Sequence, residues 1–450
     1  MTEYILSIDT TNFLYLAFLA LIIQFLVYKE SVFSILDPLS IYLINNSFSI
    51  AFVIYLFMDS EIRNEAYVIS FFACNAAFAM GIKTGAKKNR KLEVLQPFFE
   101  QKEINESIRT SKILYVLLCL IVIIVIIANV FLILQTGGLP LLSSDPDSAK
   151  VLMRQDGLGL VYRVNNILLP LGVTIIMFKI FPPIPIPTSN LFPSNRFVLI
   201  SLLIILILFS ISGGSKSAVI SFVGIFLPCQ IISQHFKSAY TIILNQIIFS
   251  LVPIGILLAC YVFIKNFNTA QYLDPLQGWV VRLVANGDAF YYFYKYDLMK
   301  KFDLNVFNYI VDTLNPLSSL LKITPYDTAI GEKILIESIN LTTGGFGPNG
   351  PYPIYGLMYF GFLGSCVFSF IVGYTTSFVR VKGLTWVLKN PSELNMVVYT
   401  ICFYNITSLP ADYISFVATL FSSLIFILPV VIISKIFTID SLLISILNKK

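Results

Sequence analysis

Charged residues are scarce in this chain: they make up 12% of its 450 residues, where a soluble globular domain carries about a quarter. That excludes the ordinary water-soluble class. Histidine occurs once, at His235, so neither a histidine-based metal site nor a paired-histidine mechanism is available. The six cysteines, at positions 74, 119, 229, 260, 366 and 402, fall inside apolar runs without ligand-like spacing. They read as small buried hydrophobes, and neither a disulfide framework nor a zinc site is supported. No Lys or Arg precedes Lys29, so the sequence predicts no cleaved leader. No repeat of 20–50 residues is visible and the two halves do not resemble each other, which weakens a transporter reading.

Apolar residues are plentiful, at 57% of the chain with a mean hydropathy of +0.82. Runs long enough to span a bilayer recur along the whole length. They predict an all-α polytopic membrane protein of about 11 transmembrane helices (10–12). The windows are 8–28, 39–58, 66–85, 113–135, 160–180, 197–212, 217–233, 241–263, 354–377, 395–410 and 413–434. The chain reads as one integral membrane domain, 1–450.

Orientation follows the excess of Lys and Arg in cytoplasmic loops. The stretch KTGAKKNRKLEVLQPFFEQKEINESIRTSK holds eight basic residues, which makes 86–112 a cytoplasmic loop. Alternation from there gives the inner segments a net charge of +10 and the outer segments −5. The amino terminus is then outside and the carboxy terminus inside. The outer face carries a loop at 136–159 and one large loop at 265–352, expected to contain short interfacial helices.

The helix centres are nearly free of charge, which disfavours proton coupling. The informative residues are basic ones at the outer boundary, where the orientation bias does not put them: Arg154, Arg163, Lys216 and Arg282. Lys216 lies in LFSISGGSKSAVISF, where one helix rises, turns at Gly213 and Gly214, and descends from Ser215. Free backbone N–H groups, the positive helix end and a lysine together suit a phosphate; a lysine that ends a helix and snorkels is the plain alternative. Arg154 and Arg163 would fall on opposite faces of a continuous helix, but Gly157 and Gly159 intervene and allow convergence. An Arg–Asp156 pair that holds the loop is the competing reading. In RLVANGDAFYYFYKYDLMKKF the rings of Tyr291 and Tyr292 could stack on sugar faces or form an interfacial belt. Asp145 and Asp147 in DPD flank a rigid proline, and no metal is assigned to them. Outer carboxylates include Asp288, Asp327, Glu332, Glu337 and Asp412; spacing selects no general base among them.

Three stretches carry a resemblance to a known family: GGLPLLSSDPDSAKVLMRQDGLG leading to Arg163, the basic turn SGGSKSAV, and GGFGPNGPYPIYGLMYFGFLGSCVFSFIVG. In these, and in length and helix count, the chain resembles the O-antigen (oligosaccharide repeat-unit) polymerases, the Wzy family. The family turn often carries Arg where this chain has Lys216, and an Arg-x10-Gly pattern of some members is absent. The resemblance implies a GT-C-like glycosyltransferase of the bacterial inner membrane with one large periplasmic loop. It would transfer a glycan from undecaprenyl diphosphate to another lipid-linked repeat unit, with no metal or other cofactor. Arg154, Arg163, Lys216 and Arg282 would stabilise the departing diphosphate. Gly213, Gly214, Ser215, Tyr291, Tyr292 and Tyr352 would contact substrate. The partners implied are the lipid-linked oligosaccharide, the bilayer and a chain-length regulator protein; no nucleic acid is expected. An O-antigen ligase and a lipid-linked oligosaccharide flippase are the alternatives.

Overall fold

The computed structural model describes all residues except 1–3, 5–6, 60–61, 63, 87–100, 144–157, 184–195, 214–217, 268–282, 303, 326–329, 342–346 and 448–450. Among the described residues the secondary structure is helical, with no strand. In chain order the helices are α1 (Thr10–Tyr28), α2 (Pro38–Met58), α3 (Glu65–Ala86), α4 (Gln101–Gln135), α5 (Gly159–Ile180), α6 (Arg196–Ser212), α7 (Ala218–His235) and α8 (Thr241–Phe267). Short helices follow: α9 (Asp288–Lys295), α10 (Leu298–Lys301), α11 (Val306–Leu320) and α12 (Ile330–Ile339). The last three are α13 (Tyr352–Lys389), α14 (Glu393–Ile406) and α15 (Tyr413–Leu447).

Each of the eleven apolar windows falls on a helix. Seven of the described helices are long and apolar enough to cross a membrane. Two more, Arg196–Ser212 and Tyr413–Pro429, are apolar but shorter. The chain is therefore a helical membrane protein. It divides into two compact units built from interleaved segments. The first comprises Met1–Arg90, Gln271–Lys382 and Asn405–Ala418, and the second Lys91–Ala270, Gly383–Tyr404 and Thr419–Lys450.

In the second unit α5 is the central helix, with nearly its whole length from Asn165 inward buried. Its Asn165 exchanges hydrogen bonds with Asn129 of α4, at 2.8 and 3.3 Å, so two amides satisfy each other away from water. At its C-terminal end Lys179 pairs with Glu393 at 2.9 Å.

In the first unit α1, α2 and α3 pack with α13. Gly81 and Gly85 of α3 form a Gly-x-x-x-Gly stripe against the backbone of Phe370 and Tyr374 and against Ser377. Such small-residue contacts let two apolar helices approach closely where hydrocarbon supplies no hydrophobic drive. An amide network crosses the same helices. Gln24 donates to Ser47 (2.7 Å), Asn46 donates to Gln24 (3.0 Å) and to Asn75 (2.9 Å), and the Tyr352 hydroxyl donates to Asn75 (3.1 Å). Asp37, the N-cap of α2, is ion-paired with Arg380; the two are 0% and 2% exposed.

The window 354–377 does not run through as one straight helix. Gly361 has φ 66° and ψ −169°, a backbone state open to glycine and to almost nothing else, and there α13 turns back on itself. A methyl placed on Gly356 would lie 2.9 Å from the Cα of Ser365, and the Tyr355 and Phe368 rings stack at 5.7 Å. Thirteen residues of continuous helix would hold those rings about 20 Å apart. The segment 352–360 is thus a short ascending helix that folds against the descending one. Its first residue, Tyr352, bonds to Asn75 and stacks on Phe78 at 4.8 Å, halfway along α3.

The span before it behaves similarly. Ser49, near the middle of α2, donates to the carbonyl of Asn286 at 2.9 Å, and Gly287 lies against Phe52. From that depth α9 climbs along α3. Phe290 meets Phe71 at 4.9 Å, and Tyr294 stacks on Tyr67 at 5.1 Å in the first turn of α3. Two parts of the stretch that the sequence presents as an outer loop therefore reach the middle of the membrane helices.

Candidate functional site

Of the cationic candidates, Arg154, Lys216 and Arg282 lie outside the described residues, as do Gly214 and Ser215. Arg163 stands four residues into α5, half-buried, in the second unit. Gly213 closes α6 in a turn, and a side chain added there would meet only the Ser210 carbonyl, at 3.5 Å, among the described atoms. The proposed convergence of the four cations therefore has one described member. Asp145, Asp147 and Asp327 also fall outside the described residues. Within the described ones, no group of three or more His, Cys, Asp or Glu side chains could hold a metal ion.

The ring candidates lie in the first unit, and two of them are interior. Tyr352 is fully buried, tied to Asn75 and stacked on Phe78. Tyr291 is buried beside Tyr4, with its hydroxyl accepting from Lys295 at 2.8 Å. Tyr292 is half-buried and remains available on the surface of α9.

The two sides of α9 differ sharply. Ala289, Phe290, Phe293 and Tyr294 are buried. Asp288, Tyr292 and Tyr296, spaced i, i+4, i+8, share the opposite face with the exposed Lys295. The Tyr292 and Tyr296 rings are near-parallel, at 17° and 6.4 Å. The Lys295 ammonium lies 5.9 Å and the Lys301 ammonium 5.6 Å from the Tyr296 ring, within cation–π range. Asp288 is half-buried and has no ion-pair partner among the described residues.

Other outer carboxylates are committed to structure. Asp297 accepts from the Tyr67 hydroxyl and pairs with Lys300 at 2.5 Å. Partial burial works against its charge, but these two partners prevail and hold its carboxyl below the usual range. Asp412 caps α15 through the Ser415 N–H at 3.0 Å; burial raises its carboxyl despite that bond. Glu332 is buried at the start of α12.

Sequence reasoning passed over one group. Asp312 of α11 accepts from the Tyr359 hydroxyl and from Lys333, the latter at 3.3 Å. It thereby fastens α11 and α12 to the re-entrant helix. Beside it the Tyr309 and Tyr413 hydroxyls meet at 2.5 Å, and Tyr309 packs on Tyr355, Tyr359 and Phe360. Positions 21 and 47 apart carry no spacing signal, so only folding could join them. The α9 face was only partly anticipated: Tyr292 lies on it, whereas Tyr291 is buried and spacing did not single out Asp288. What α9 offers chemically is an ionisable carboxyl beside two half-buried phenol rings, at a depth where hydrocarbon would otherwise be expected. No family model, no curated protein and no solved structure matches this chain.

Proposed function

We propose that this protein is a membrane glycosyltransferase that joins undecaprenyl-diphosphate-linked oligosaccharide repeat units into a surface polysaccharide at the periplasmic face of the inner membrane. The observation that carries the reading is the polar, aromatic face of α9, a helix that starts beside the middle of α2 and runs along α3. A carboxylate, phenols and an ammonium are unsuited to lipid tails but suited to sugar hydroxyls arriving on a lipid carrier. A diphosphate leaving group gathers negative charge as it departs, and Arg163, in the first turns of α5, is the described member of the cationic set proposed to stabilise it. The resemblance of the three quoted stretches to the Wzy family points the same way.

A flippase would need charged groups along a path through the bilayer. Two of the ion pairs among the described residues, Asp37–Arg380 and Lys179–Glu393, are each internally matched. A ligase would use the same donor with a different acceptor. Deleting the gene and separating the surface polysaccharide by electrophoresis discriminates among the three. Retention of a single repeat with loss of the ladder is the expected result. Loss of every repeat would instead indicate a ligase or a carrier, and an unchanged ladder would remove the proposal.

A further inference from the structure

We propose that the Asp288–Tyr292–Tyr296 face of α9 is the acceptor-sugar subsite, with Tyr292 and Tyr296 as its stacking platform and Asp288 as the base that takes the proton of the attacking hydroxyl. This rests on the glycosyltransferase reading above and assigns the acceptor half of the reaction, which the cationic residues do not address.

Three observations converge on it. The first is placement. Asn286 is bonded to the middle of α2, so Asp288 begins α9 at mid-depth, and the helix then climbs outward along α3. The face runs from a carboxyl at its foot, past two rings, to the ammonium groups of Lys295 and Lys301 at its top. The second is commitment. Asp297 and Asp312 are bound to Lys and Tyr partners and Asp412 to the N-terminus of α15, whereas Asp288 has no ion-pair partner among the described residues. The third is chemistry. Tyr292 and Tyr296 present near-parallel rings with hydroxyls at the edge, which suits the apolar face and the rim of a pyranose. A carboxylate at the foot of that face can accept the proton of a sugar hydroxyl.

The step balances without any further reactant. A hydroxyl of the acceptor sugar gives its proton to the Asp288 carboxylate as its oxygen bonds to the anomeric carbon of the donor. The bond from that carbon to the diphosphate oxygen breaks, and the electron pair leaves with the lipid diphosphate. The proton then passes from Asp288 to water, which restores the carboxylate.

The test uses purified full-length protein in lipid nanodiscs. The substrate is lipid-linked repeat units extracted from the deletion strain, and chain growth is followed by electrophoresis. Asp288→Asn keeps the side-chain shape and should lower the turnover rate about 100-fold or more, with little change in half-saturating substrate. Asp288→Glu should restore part of the rate. Tyr292→Leu keeps apolar bulk and should raise half-saturating substrate up to about tenfold, with turnover largely kept. Wild-type turnover in Asp288→Asn would overturn the assignment and leave the polymerase reading intact. If Asp288→Asn fails to reach the membrane, Tyr292→Leu and Tyr296→Leu decide. Unchanged saturation in both would overturn the subsite, and a raised value in both would support it. A wild-type protein that extends no chain would overturn the polymerase reading and this inference together.

Discussion

Replacing Arg380 by methionine should cost the protein about 3–5 kcal/mol, because it strands a buried carboxylate. Asp37 and Arg380 are 0% and 2% exposed, and Asp37 also accepts the backbone N–H groups of Phe33 (2.8 Å) and Leu39 (2.9 Å). Those bonds hold the carboxylate in place, so it cannot swing out to water when its partner is removed. Methionine preserves most of the apolar stem but loses the guanidinium, its bond to the Ser31 carbonyl and its position 5.1 Å from the Phe33 ring. Asp37→Asn keeps a cap for Leu39 and strands the arginine instead, with a penalty of the same order. The double variant has no unpaired charge and should return to within about 2 kcal/mol of the parent, since a buried ion pair and a neutral replacement often come out close. Reversible unfolding in mixed micelles, followed by circular dichroism, gives all four corners of the cycle. A single-variant loss below about 1 kcal/mol, or two losses that simply add, would mean that the pair is not the isolated, desolvated contact described.

Gly361→Ala should destabilise by about 1–3 kcal/mol through backbone strain alone, since the nearest atom to an added methyl is the Met299 Cε at 3.7 Å; equal melting curves would contradict the sharp turn. Reporter fusions active only in the periplasm should work at Ser215 and Asn315 and fail at Val94, and the opposite pattern would reverse the orientation.

Local pattern was enough for the helices. An apolar run of some twenty residues has few choices in lipid, because each backbone N–H and C=O must be bonded within the segment. That is why all eleven windows fall on helices; most changed only at their ends, as where α4 begins at Gln101 rather than near 113, and 354–377 is broken inside at Gly361.

Contacts distant in sequence were not legible. Asp37 looked like an ordinary helix cap, yet its counter-charge lies on α13, in a stretch that reads as a basic inner segment. Asp312 drew no attention until folding brought Tyr359 and Lys333 to it. Gly361 shows the limit most plainly. Nothing in the run around it distinguishes a glycine that eases helix packing from one that reverses the chain. The choice depends on whether Tyr352 finds Asn75 and Phe78 to satisfy its hydroxyl and ring, and those lie more than 270 residues earlier. Sequence determined which segments are helices and that they belong in a membrane, because that follows from the solvent each segment must satisfy. Tertiary structure decided which of them turn back at mid-depth and which acids are left unpaired, because those depend on partners that only the folded chain brings within reach.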